Sequence, residues 1–83
     1  MGLRFTGHAL HKMAERRIQP EWVARVVEEP EYLRPDPIQP GAVRAFRRIP
    51  EFGDRWLRAV YVDRSGVRVV VTVTWDRDAE RRR

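Results

Sequence analysis

The chain has 83 residues, with 17 lysines and arginines against 12 aspartates and glutamates, for a formal charge of +5. That length gives one small domain with a single modest core, close to the size at which self-association as a homodimer helps. Having no cysteine excludes a disulfide framework and a thiolate metal site; no apolar run nears the roughly 20 residues that span a bilayer, and Met1-Gly2-Leu3-Arg4-Phe5-Thr6 lacks the apolar stretch of a signal peptide. The expectation is a cytoplasmic protein with no membrane partner.

Thr6 is a good N-cap, and Ala9, Leu10, Met13 and Ala14 recur at helical spacing as far as Arg17, predicting a first helix. Gln19 and Pro20 interrupt it. Pro20 with Glu21 suits the start of a second helix, which Trp22, Val23, Val26 and Val27 supply with an apolar stripe and Pro30 stops. Pro30, Pro35, Pro37 and Pro40 then fall within eleven residues and forbid both a helix and a central strand, leaving at most a short edge strand over 31–34 and a loop over 37–41.

Alternation predicts a strand over 42–49, then a turn around Gly53, then two strands over 55–62 and 67–75 flanking the four-residue loop Asp63-Arg64-Ser65-Gly66. Pairing Val62 with Val67 sets Val60 against Val69 and Trp56 against Val73, an apolar face for the helices to cover. Leu57, Tyr61, Arg68, Val70, Thr72 and Thr74 line the other face with Arg55. Arg58 then falls among valines, which predicts a bulge or a one-residue slip. The expected fold is α+β, two N-terminal helices packed on one face of a three- to four-stranded antiparallel sheet, in one domain spanning 1–83 with 77–83 a charged tail.

Lys12 is the only lysine, so the positive charge is almost wholly arginine. Guanidinium groups fork onto phosphates and stack on bases, which fits an RNA partner; a thermophilic source that writes surface charge as arginine explains the same composition. The two histidines, His8 and His11, share a helical arc of about 100° with Lys12 and Glu15. Metal-independent RNA cleavage needs a base, an acid and a cation against the phosphate. His8 or His11 can be base or acid, Glu15 can orient an imidazole, and Lys12, Arg44, Arg48 or Arg55 can meet the charge. The plain alternative is a solvated helix side with a His11 to Glu15 pair. Three ligands on one helix converge poorly on a metal, so neither metal nor cofactor is expected. Trp22, Trp56 and Trp75 lie on apolar stripes and read as core, whereas Tyr61 and Phe46 share arginine-bearing strand faces and suit base stacking.

The stretch His8-Ala9-Leu10-His11-Lys12-Met13-Ala14-Glu15-Arg16-Arg17-Ile18, followed by Pro20-Glu21-Trp22-Val23 and later by Val70-Val71-Thr72-Val73, resembles the small bacterial family called domain of unknown function 4258. That family looks similar in architecture to the RelE and ParE toxins, which act on ribosome-bound mRNA or on gyrase and are restrained by an antitoxin. The resemblance implies His8, Lys12 and Arg16 as motif residues, with Thr72 on the strand. It also implies a RelE-like fold and an acidic antitoxin partner. RelE-type nucleases place basic and tyrosine residues near the C-terminus, whereas here the last strand runs into Trp75-Asp76-Arg77.

The expected function is a toxin-like endoribonuclease with His8, His11 and Glu15 as catalytic groups. Lys12, Arg16, Arg44, Arg48, Arg55, Tyr61 and Arg68 are its expected RNA contacts. The alternative is a non-catalytic module binding nucleic acid or protein.

Overall fold

The structure, a computed structural model, describes residues 2–83. In chain order these form β1 (Gly2–Phe5), α1 (Gly7–Arg16), α2 (Pro20–Glu28), β2 (Tyr32–Pro35), β3 (Val43–Ile49), a 3-10 turn (Pro50–Phe52), β4 (Arg55–Arg64), β5 (Val67–Trp75) and α3 (Ala79–Arg82). The fold is α+β, as expected, but the sheet is not purely antiparallel. Its five strands run in the order β1-β5-β4-β3-β2, and β1 lies parallel to β5. Four residues, Gly-Leu-Arg-Phe, carry too little periodicity to register as a strand, and their hydrogen-bonding partner is 65 residues away in sequence; the pairing is tertiary.

Thr6 performs two tasks at the end of β1. Its hydroxyl oxygen accepts the Ala9 N–H at 3.1 Å, capping α1, and its hydroxyl donates to the Val71 carbonyl at 3.2 Å. β1 stops pairing with β5 at Val70, and the rest of that β5 edge is met by α1: Arg16 donates to the Val73 carbonyl at 3.4 Å, and the Trp75 indole N–H donates to the Arg16 carbonyl at 3.0 Å. Covering an edge in this way satisfies carbonyls that would otherwise invite a foreign strand. Arg17, in the left-handed conformation at φ 58°, ends α1, and Pro20 in the first turn of α2 restarts the helix.

The hairpin between β4 and β5 is tighter than its composition implies. Arg64 pairs with Val67, leaving only Ser65 and Gly66 as the loop, both at positive φ (51° and 79°), as a type I′ turn requires. The register therefore shifts by two residues from the expected one. A bulge follows at Val60/Tyr61, so that Val60 sits opposite Thr72 and Ala59 opposite Val73. The irregularity that Arg58 called for is present.

The bulge sorts the side chains of β4 and β5 between the two faces. Leu57, Ala59 and Tyr61 of β4 and Val70 and Val73 of β5 pack with Ala9, Met13, Ile18, Val23, Val26 and Val27 in the main core. Leu57, Tyr61, Arg68 and Val70 do share a face, but it is the helix-covered one, contrary to expectation. Trp56, Val60 and Val62 point the other way, into two smaller clusters. That second face is partly roofed by the C-terminal segment. Ala79 is fully buried with Phe46 and Trp56, so 77–83 does not trail free of the core.

Candidate functional site

The exposed side of α1 carries the residue types with proton-transfer chemistry. Glu15 sits 3.3 Å from His11 Nε2 and 3.5 Å from Lys12 Nζ, one turn away in each case, as i,i+4 and i,i+3 spacing dictates. The Lys12 charge is the main reason that the Glu15 carboxyl is held below its ordinary range, with His11 adding to it. His8 stands apart. It is exposed in the first turn of α1, two turns or about 10 Å of helix rise from Glu15, and no hydrogen bond or ion pair joins its side chain to another described residue.

Most of the recognisable α1 motif is explained by packing. Ala9, Met13 and Ile18 are buried in the main core, Lys12 and Glu15 pair on the surface, and Arg16 reaches the β5 edge. Of His8, Ala9, Lys12, Met13, Glu15, Arg16 and Ile18, only His8 has no packing or pairing role among the described residues.

The expected RNA contacts do not converge on one groove. Lys12 and Arg16 lie on α1 itself. Arg44 and Arg48 lie on the sheet face turned away from α1, opposite Val60 and Trp56, and each is held by an acid: Arg44 by Asp36 at 3.0 Å, Arg48 by Glu31 at 2.9 Å. Their guanidinium hydrogen bonds help to keep both carboxyls low, for Asp36 behind the Gln39 backbone N–H and for Glu31 against the cost of its burial. Tyr61 is only 3% exposed and is no open stacking surface. Its ring lies under Arg68, whose guanidinium carbon is 4.6 Å from the ring centroid and which also donates to the Val27 carbonyl. Phe46 is likewise buried, stacked on Tyr32 at 4.4 Å.

Two groupings escaped the sequence reading. A polar recess of about 640 Å³ opens between the end of α2 and β3, lined by Arg25, Glu29, Glu31, Arg47, Arg48, Pro50 and Asp54. At the start of β4, Arg55 lies over both Phe52 and Trp75. The signal for the second was present in the three half-buried aromatics Trp22, Phe52 and Trp75, but only folding brings them together. Among the described residues, no cluster of three or more His, Asp or Glu side chains has metal-binding geometry, and no helix is long and apolar enough to cross a membrane.

A two-layer α+β domain with an arginine-rich surface is therefore the class that fold and surface define. The chain belongs to the family described as Domain of unknown function (DUF4258), whose model matches residues 5–75. The match runs from the last residue of β1 to the last of β5, so α3 lies beyond it. Neither a curated protein nor a solved structure matches the chain.

Proposed function

We propose that this protein is a nucleic-acid-binding module that holds RNA through its arginines. The supporting observation is a set of unengaged cations: Asp36, Glu31, Glu51, Asp63, Asp76 and Asp78 are each held by an arginine, while Arg17, Arg55 and Arg77 meet no carboxylate among the described residues. Free guanidinium groups on a surface are the ones able to fork onto phosphate. Binding that displaces counterions weakens steeply with salt, by about 0.7 in log K per decade of salt for each single-strand contact. Fluorescence anisotropy of a labelled RNA across a salt series tests this. Absence of binding at low salt overturns it.

A second reading is a toxin-like, metal-independent endoribonuclease, RelE-like in fold and restrained by an acidic antitoxin, acting on RNA or ribosome-bound mRNA. In its favour stands His8, exposed and unengaged near the positive end of α1, with the His11–Glu15 pair further along. Arg44 and Arg48, on the far face of the sheet, are not available to that helix, so Lys12, one turn from His8 on α1, would supply the cation. RNA incubated in EDTA with wild type, His8→Ala and His11→Ala decides between the readings. Cleavage lost in either variant supports catalysis, and no cleavage by the wild type leaves the binding module.

A further inference from the structure

One end of the molecule is assembled from four separate stretches of chain: the α1–α2 corner, the 3-10 turn, the start of β4 and the end of β5. There the rings of Phe52 and Trp75 lie parallel, with centroids 4.7 Å apart and planes at 8°, and Trp22 tilts against them at 5.7 and 6.1 Å. All three rings are only partly buried. The exposed Arg55 holds its guanidinium 5.1 Å from the Trp75 ring and 5.5 Å from Phe52, and it shares a recess of about 180 Å³ with Arg77.

The hydrogen bond from the Trp75 indole to the Arg16 carbonyl fixes that ring and brings Arg17 to the same end. Arg17, Arg55 and Arg77 have no carboxylate partner among the described residues. Asp76, the acid in the recess, is already engaged by Arg58 and Arg82.

We propose that this end is a docking platform for single-stranded RNA, with a base stacked on the Trp75–Phe52 pair beside the Arg55 guanidinium and with Arg55, Arg77 and Arg17 on the neighbouring phosphates. The proposal rests on the nucleic-acid-binding reading and gives it a place. The combination of chemistries selects the partner. An acidic protein needs the cations but not the half-open rings, and a duplex offers phosphates but keeps its base faces stacked inside. An unpaired base has a π face whatever its identity, and its backbone carries the charge that the three guanidiniums lack.

The test is anisotropy with a short unstructured oligoadenylate and with a blunt RNA duplex, on wild type, on Arg55→Ala/Arg77→Ala, on Phe52→Leu, and on Arg4→Ala/Arg64→Ala as a remote control. Circular dichroism checks that each variant is folded. The single strand should bind more tightly than the duplex and quench tryptophan emission. The Arg55/Arg77 pair should weaken it about tenfold and lower the salt slope by about 1.4, Phe52→Leu should weaken it with the slope unchanged, and the remote pair should change it less than about twofold.

Equal losses from the near and remote pairs, or equal binding of duplex and single strand, overturn the platform and leave the RNA-binding reading standing. No RNA binding at low salt overturns both. Arg55-dependent binding of polyglutamate in place of RNA marks the end as a protein-docking surface, and the proposal fails.

Discussion

The phenol of Tyr32 donates a 2.6 Å hydrogen bond to the backbone carbonyl of Ala79, tying the edge strand β2 to α3 across 47 residues of chain. Ala79 is fully buried beside it, so a segment that reads as a charged tail is part of the roof over the second sheet face. Burial is the main reason that the Tyr32 hydroxyl titrates above its ordinary value. Tyr32→Phe keeps the ring stacked on Phe46 and removes only this bond. It should cost about 1 kcal/mol, and hydrogen exchange should rise selectively at 79–82. Unchanged exchange there would show that α3 is held by other contacts.

Asp76 is the only buried acid among the described residues, at 8% exposure. It accepts from Arg58 at 3.1 Å, from Arg82 and from the Asp78 backbone N–H. Burial lowers the affinity of Arg58 for its proton, and its Nε finds no partner. Asp76→Ala strands that guanidinium and should cost about 3 kcal/mol, the low end for a broken buried pair, since the Arg58 side chain keeps 24% exposure. Adding Arg58→Met should recover most of the loss. Urea unfolding of the two singles and the double measures this, and additive effects would mean that the pair is not coupled.

Leu57 is fully buried in the main core, whereas Val62, on the same strand but the opposite face, is 8% exposed in a small cluster. Leu57→Ala should cost about 3 kcal/mol through lost burial and the cavity left behind, a large part of what a domain of this size possesses. Val62→Ala should cost about 1 kcal/mol. Thermal unfolding separates them. A reversed order would mean that the helices lie on the other face.

Arg25 of α2 forks onto Glu51 with bonds of 2.8 and 2.7 Å, and mainly for that reason the Glu51 carboxyl falls from its ordinary 4.5 to about 2. A carboxyl whose pKa is depressed by folding stabilises above its unfolded value and loses that contribution as pH falls through its folded one. The melting temperature should therefore drop between about pH 4.5 and 2. Glu51→Gln should melt below wild type at pH 7 and converge with it near pH 2. A constant gap across that range would show that the ion pair is not its cause.

The two helices and four of the five strands, the short edge strand β2 included, were legible in the chain because of local period and punctuation: Thr6 and Pro20 at helix starts, Pro30 at a stop, Gly66 in a turn. Even the conflict at Arg58 was legible, since a cation among valines cannot be left unpaired. The side on which the helices land was not legible. Both faces of β4 are apolar, so alternation does not say which one the helices cover, and the bulge at Val60/Tyr61 sets Val73 beside Ala59 instead of on the face of Trp56. The candidate site suffered in the same way. Helical spacing foretold the His11–Glu15 pair, but no local rule says that Arg44 and Arg48 face away from α1.

Composition and local spacing by themselves determined an arginine-rich α+β domain with two helices ahead of an antiparallel hairpin, because such features depend on neighbours a few residues apart. Tertiary structure alone decided that β1 joins β5, that α3 closes over Trp56, and that Trp22, Phe52, Trp75 and Arg55 meet at one end. Each of those associations links residues tens of positions apart, where the energy lies in packing and hydrogen bonds that no short window of sequence contains.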